Sequence, residues 1–467
     1  MKVLFSILIS VSIILLNSCK PIEAKQPLTQ VQVIPPTPQN KSIISIPIEL
    51  DLKPFFEMGE KQVPMTFDGG EHPCEGVSFD YHFVRNPMKW DASNDVIKID
   101  VSGKYALKMS YCYDCTDAFT EVPICTTPRI PFSCGIDEPM RRMKMQYTTQ
   151  YKLTENYGIE TKTELTELKA IDPCEVTVFS YDATGELIKE VRKSLTDVAK
   201  DLDKDLSKMN FRKEVQSKWN ELNAPIKIEN YGYLHANTNT LFLSQPSVKN
   251  NKLSTVLTVV AFPLFDNNPS KGTILPLPPL EIIEKPIDNS YSIYLDLNLD
   301  YDSLSTSIHS LSKGQEFKIK KKTVCIDSIA ITGASNQELL FRVQFSGSKK
   351  GTLYLRGIPE FDAEKQVIQL KTIDFDLETK ALLLKTAKWL FSNKILEEIQ
   401  KASKQDIKPL LNDAKAEINK QLNYTYEDFY FSGKVDELKV LELYPLNETL
   451  MIRTKATGKL NLTNTKN

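Results

Sequence analysis

The chain has 467 residues, 41% hydrophobic and 25% charged, with 58 Lys+Arg against 60 Asp+Glu. That is enough apolar sequence for two globular domains of ordinary size. The near balance of charge excludes the basic footprint of a nucleic-acid binder, and so few glycines (17) exclude a Gly-rich low-complexity chain.

In chain order, the first element is an address rather than a domain. Lys2 precedes an apolar run from Val3 to Leu16, followed by Asn17, Ser18 and Cys19. The run is too short to span a bilayer comfortably, and small residues follow it, so residues 1–18 read as a cleaved signal peptide. Leu16, three residues before Cys19, makes the segment resemble the lipobox of bacterial lipoproteins. The resemblance implies a diacylglyceryl group on the Cys19 thiol and an acylated amine, a palmitate-type anchor. Each buried CH₂ contributes about 0.8 kcal/mol, so several chains hold the protein on a membrane almost permanently. The alternative is an ordinary signal peptide with an incidental cysteine. Lys20 is not the aspartate associated with inner-membrane retention, which assigns the anchor to the outer membrane. Lys20 to Lys25 lacks an acidic run for surface export, so the expectation is a periplasm-facing lipoprotein, with the cell surface as alternative. Residues 19–41, with Pro21, Pro27, Pro35, Pro36 and Pro38, read as an extended tether.

A second Pro-rich stretch, residues 264–288 with Pro276, Pro278 and Pro279, divides the remainder into halves 42–263 and 289–467. Each half opens on an alternating strand: Ile46, Ile48, Leu50 and Leu52 in one, Ile293, Leu295, Leu297 and Leu299 in the other. Period-two alternation buries one face and wets the other. Further matches keep their order. Ile97 to Gly103 answers Phe341 to Gly347, Leu168 to Asp172 answers Leu370 to Asp374, and Leu222-Asn223 answers Leu422-Asn423. The spacing of matches places about 42 extra residues between Gly103 and Leu168, as an insertion in the first half.

Six cysteines lie in or beside that insertion: Cys74, Cys112, Cys115, Cys125, Cys134 and Cys174, with Cys325 alone. In an oxidising compartment they predict disulfides, and the pairing expected is Cys112–Cys134, Cys115–Cys125 and Cys74–Cys174. A zinc site of Cys112, Cys115, Cys125 and Cys134 is the alternative, weakened because no histidine is near.

Helical periodicity is longest from Leu187 through Val191, Leu195, Val198, Leu202, Leu206 and Met209. A shorter helix around Val215, Trp219 and Leu222 stops at Pro225. In the second half Leu383, Ala387, Leu390, Ile395 and Ile399 form a stripe, Pro409 breaks it, and Leu410, Ala414, Ile418 and Leu422 resume it. The predicted class is α+β, two homologous halves, each a curved antiparallel sheet packed on a long broken helix.

Helix-plus-sheet order occurring twice around a Pro-rich joint resembles the tubular lipid-binding superfamily, which includes the bactericidal/permeability-increasing proteins. The resemblance implies an apolar groove for acyl chains between sheet and helix. At the level of sequence the chain resembles an uncharacterised Bacteroidetes-type lipoprotein family, a domain of unknown function. The stretches that carry this are Ser133-Cys134-Gly135 with Glu138-Pro139, Asp172-Pro173-Cys174, Gly351-Thr352-Leu353-Tyr354-Leu355 and Ala387-Lys388-Trp389-Leu390. Neither family implies a catalytic residue.

The residues themselves offer little chemistry. His72, His82, His235 and His309 are scattered, and no His-Glu-x-x-His, Gly-x-Ser-x-Gly or phosphate loop occurs. Asp172 and Asp374 occupy equivalent positions, better read as strand ends or turns before helices than as paired acids. Lys318, Lys320, Lys321 and Lys322 read as a charged strand edge, with lipid phosphates as the alternative. The expectation is therefore a non-enzymatic, cofactor-free lipoprotein that binds a lipid or other long apolar ligand, with Val198, Leu202, Leu390 and Ile399 facing the groove. Its rival is an envelope scaffold with filled cores. Protein partners are not specified, and no nucleic acid is expected. Cys19→Ala should abolish metabolic labelling with palmitate and leave an unprocessed precursor. Equal labelling of the variant would refute the anchor.

Overall fold

The computed structural model describes residues 21–27, 35–116, 123–176, 181–229, 231–272, 275–285, 290–319, 321–335, 337–391, 393–426 and 429–464. Cys19, Lys20 and Lys320 fall outside them. The protein is α+β, built from curved, mainly antiparallel sheets. Among the described residues these are a twelve-stranded central sheet, two seven-stranded lateral sheets and one two-stranded ribbon.

Both predicted opening strands lie in the central sheet. Ser42–Asp51 pairs antiparallel with Lys252–Ala261 along its whole length, from Ser42↔Ala261 to Asp51↔Lys252. Tyr291–Asp300 does the same with Thr449–Asn464, from Tyr291↔Gly458 to Asp300↔Thr449. The two ladders are joined through Tyr291↔Ile44 and Ser292↔Ile43, and through the parallel pairs Ile48↔Leu462 and Glu49↔Thr463. With strands on both sides, the opening strand buries polar residues as well as apolar ones. Ser42 and Ser45 are buried, and both are satisfied: Ser42 Oγ donates to Tyr294 O, and Ser45 Oγ bonds Thr258 Oγ1.

From the central sheet the chain twice leaves to build a lateral sheet and returns. After Asp51 it forms α1 (Lys53–Gln62), then a sheet ordered Ile159–Ala170, Arg141–Leu153, Val96–Cys112, Gly76–Arg85, Thr66–Glu71. Then come α2 (Thr184–Leu206) and α3 (Arg212–Asn223). After Asp300 it forms α4 (Tyr301–Ser312), then a sheet ordered Glu316–Ile319, Lys322–Ser335, Glu338–Gly347, Gly351–Asp362, Val367–Phe375, Gln405–Asp406. Helices α5 (Leu377–Thr386), α6 (Asn393–Ala402) and α7 (Lys408–Gln421) complete it. Asp300 caps α4 by accepting from Ser303 N, and Asp376 caps α5 by accepting from Glu378 N. Pro409 sits in the first turn of α7, where its missing amide costs nothing. Register shifts at Gln146/Tyr147, Ile326/Ser328, Ile331/Gly333 and Gly357/Pro359 mark irregularities that bend the lateral strands.

Three expectations change. The second-half stripe is not one kinked helix but three short helices, because α5 ends at Thr386 and the backbone at Ala387 leaves the helical region. The described parts of both Pro-rich segments are built into the fold. Leu264–Asp266 and Leu280–Ile283 are strands of the central sheet, and Leu277 is buried beside Trp219. In the tether, Ile22 is buried in the core of the second lateral sheet and pairs with Gly351. A Cβ at Gly351 would collide with the Ile22 carbonyl, so the glycine admits this close approach. Further on, Arg453 donates to Thr37 O and Oγ1, and Gln39 donates to Pro263 O and Tyr294 O.

All six clustered cysteines are oxidised, but none of the three expected pairs forms. The bridges are Cys74–Cys115, Cys112–Cys125 and Cys134–Cys174. Cys115 and Cys125 do face one another in the two-stranded ribbon, yet each is bonded elsewhere. Gly76↔Cys112 pairing brings Cys74 to the ribbon, where it meets Cys115. Cys134, in register with Leu107, points into the core and meets Cys174 just before α2. The bridges leave Cys112, Cys115, Cys125 and Cys134 without a thiolate for zinc. Non-reducing peptide mapping should recover these three pairs. Removing the buried Cys134–Cys174 bridge should cost about 2–4 kcal/mol in denaturant unfolding.

Candidate functional site

Two helix–sheet interfaces carry the residues expected to face a groove. In the first half, α2 lies along Ile159–Ala170, with Leu187, Val191 and Leu195 half-buried against Val101, Met143, Met145 and Leu168. The expected inward positions Val198 and Leu202 are instead 57% and 42% exposed. At this end of α2 the inward face is taken by Ala199, which is buried, and by Asp203. Asp203 accepts hydrogen bonds from Thr163 N (2.8 Å), Thr161 Oγ1 (2.7 Å) and Thr163 Oγ1 (2.7 Å). A polar clamp at an i, i+4 step from Ala199 turns the apolar stripe outward. The structure does not place Val198 and Leu202 in a groove.

The second half differs. Leu390 is buried and Ile399 half-buried, and both line one cavity between α6 and the lateral sheet. Phe317, Val324, Phe345 and Leu355 contribute from four different segments, and the lining is wholly apolar. The cavity volume is about 30 Å³, room for one water-sized sphere, and an apolar void of that size stays dry. α6 covers it with Ile395 and Ile399, while Glu397, Glu398 and Lys401 lie on the same ten-residue helix. Two polar bonds tie the C-terminal end of α6 to the sheet: Gln400 Nε2 to Lys371 O, and Leu370 N to Ser403 Oγ.

The other candidates stand apart from this cavity. Asp172 receives Arg142 N, Nε and Nη2, and that arginine holds its carboxyl down to about 2. Asp374 instead pairs with Lys380 and accepts from Phe375 N. Asp172 lies in the turn after its strand and Asp374 near the end of its strand, and each braces the backbone beside it. His82 bonds Asp68, His72 bonds Ser78, and His235 is buried with Nε2 facing Asn268 O. Trp219 is core, donating Nε1–H to Leu275 O, and Trp389 packs against the second-half core. Glu316–Ile319, which bears Lys318, is the edge strand of its sheet, the position a charged edge should occupy. No group of His, Cys, Asp and Glu suited to a metal occurs among the described residues.

Sequence reasoning missed Asp203, whose only signal was a carboxylate among the apolar positions of an otherwise regular stripe. Partial burial pushes its pKa up, but the three hydrogen bonds outweigh that and leave it lowered. A lowered carboxylate pKa stabilises the fold above the ordinary carboxylate range, and the stabilisation is lost as pH falls through the lowered value. Asp203→Ala should therefore cost about 1–2 kcal/mol at neutral pH. In urea unfolding followed against pH, the variant's deficit should shrink toward acid.

No curated protein matches the chain. Among solved structures it is similar to a lipopolysaccharide binding protein, at 11% identity and a TM-score of 0.29, covering 92% of this chain and 100% of that one. It is also similar to P47 from Clostridium botulinum A2, at 9% identity and a TM-score of 0.21, covering 88% and 96%. Both are distant likenesses. Residues 40–463 match the family described as Domain of unknown function (DUF4403), and the protein belongs to that family.

Proposed function

We propose that this protein is a lipoprotein, held on the outer membrane through Cys19 and facing the periplasm, that binds a lipid or other long apolar molecule between sheet and helix. It acts as a binding protein rather than an enzyme. The observation that carries the reading is the cavity beneath α6, lined only by apolar side chains from the sheet, Leu390 and the helix itself. Such a site needs no polar anchor, because burying apolar surface at about 25 cal/mol per Å² supplies the affinity. Ligand pockets commonly run to roughly 300–1,000 Å³, so a chain of any length enters only if α6 lifts from the sheet. The break between α5 and α6 supports that motion.

In the same reading the two halves are copies of one unit. Support comes from the matched ladders, each ten residues long, that Ser42–Asp51 and Tyr291–Asp300 make with Lys252–Ala261 and Thr449–Asn464. A short helix, a lateral sheet and further helices follow each opening strand.

A second reading, an envelope scaffold without a ligand, is favoured by the cavity's small volume of about 30 Å³. Native mass spectrometry of the purified protein followed by lipid extraction separates the two. Wild type should carry an extractable lipid and bind a fluorescent fatty-acid probe saturably. Ile399→Gln, at a half-buried position, should retain cooperative unfolding and bind the probe about tenfold more weakly. A wild type that carries no lipid and binds no probe leaves the scaffold.

A further inference from the structure

Two turns of the second lateral sheet meet at one end. Thr323 N donates to Ser348 Oγ (3.0 Å) and Ser348 N to Thr323 O (2.8 Å). This sets the hairpin carrying Lys318, Lys321 and Lys322 beside the turn carrying Lys349 and Lys350. Lys349 is half-exposed and the other four are exposed. Among the described residues none of the five makes an ion pair. The carboxylates near this end on the described strands are Glu316, Asp327, which accepts from Ser346 Oγ, and Glu23, so the five lysines outnumber them. Protection of a sheet edge accounts for Lys318, which lies on the edge strand. It does not account for Lys349 and Lys350, which join the third and fourth strands from that edge.

The chain's N-terminal segment docks at this same turn. Ile22 N donates to Lys350 O (2.9 Å), Ala24 N donates to Thr352 O (3.1 Å), and the Ile22 side chain is buried. Cys19 precedes Ile22 by three residues in the sequence, a backbone reach of at most about 11 Å at about 3.6 Å per residue. A lipid on Cys19 therefore leaves the protein beside the lysines. The apolar cavity is close by on the same hairpin: Phe317 and Val324, which line it, are a register pair, and Lys318↔Thr323 is the next pair toward the turn.

We infer that this lysine-rich end is the face the protein lays on a membrane of anionic phospholipid, with Lys318, Lys322, Lys349 and Lys350 meeting headgroup phosphates. The inference rests on the anchor reading above and deepens it. The anchor brings the sheet end to the bilayer, the lysines orient it, and the cavity is held next to the lipids it would load. Lysine ammonium groups near an anionic surface are each attracted strongly enough to change partitioning about fivefold, and salt screens the effect.

The test uses the full chain with vesicles of phosphatidylcholine alone or of phosphatidylcholine with phosphatidylglycerol, read by co-sedimentation at low and high salt. Binding to phosphatidylcholine alone reports the anchor. The excess binding to phosphatidylglycerol vesicles at low salt reports the lysines. Lys322→Gln, Lys349→Gln and Lys350→Gln, all on turns or strand ends, should together lower that excess by about a hundredfold and leave phosphatidylcholine binding unchanged. Membrane-impermeant amine labelling should find these lysines protected on phosphatidylglycerol vesicles, with Lys227 and Lys249 of the first half still reactive. If the excess is absent, or survives in the triple variant, the inference is overturned whatever the anchor does. Loss of phosphatidylcholine binding with the excess intact overturns only the anchor.

Discussion

Backbone pairing of Ser42–Asp51 is the constraint on which the rest of the molecule depends. The strand is bonded to Lys252–Ala261 on one side and to Tyr291–Asp300 and Thr449–Asn464 on the other. Apart from Ile22–Glu23, every strand of the lateral sheets is strung between two strands of this central sheet, so each lateral sheet closes only when residues far apart in the chain have met, such as Ser42 with Ala261 and Asp300 with Thr449. Such long-range pairing is slow to form and cooperative once formed. Gly458 shows how tightly the ladder is drawn. It lies opposite both Tyr291 and Val435, and a Cβ there would collide with Lys434 O and crowd the Tyr291 ring. A side chain at that position would force three strands apart.

Two buried arginines lock peripheral segments to this frame. Arg453, nearly inaccessible, reaches Asp296 with two bonds of 2.8 and 2.9 Å across the register pair, then uses its remaining donors on Glu442 and Thr37. Arg85 fixes α1 through Glu60 Oε1, and donates to Pro64 O, Glu60 O and Val63 O at the helix end. Ion pairs of this kind contribute little net stability against apolar replacements, but loss of one partner leaves a buried charge and costs several kcal/mol. Their effect is therefore positional. They set where the chain before Ser42 runs and where α1 sits.

The two lateral sheets put the same materials to different uses. In the first, three disulfides and the Asp203 clamp fix the sheet and the end of α2, and Val198 and Leu202 before the clamp are exposed. In the second, a short helix rests on an apolar cavity with two polar ties, beside a positive rim and the docked N-terminal strand. Covalent bracing is concentrated in the first lateral sheet, and the apolar cavity lies in the second.

Patterns of local origin were legible in the sequence. Alternation in Ile46 to Leu52 and Ile293 to Leu299 gave two strands, steps of three and four from Leu187 gave α2, Pro225 and Pro409 marked α3's end and α7's start, and six clustered cysteines gave oxidised sulfurs. Each depends on residues close in sequence, or on composition alone. The identity of partners is a different matter. Which cysteine meets which, that Val198 and Leu202 turn outward while Leu390 and Ile399 line a cavity, and that Ile22 docks on Gly351 were all decided by tertiary structure. A periodic stripe states that one side of a helix is apolar, but its rotation is set by contacts such as Asp203 with Thr161 and Thr163, across some forty residues of chain. Five lysines from two separate turns become one surface only when Thr323 and Ser348 join those turns, a contact that spacing along the chain does not encode.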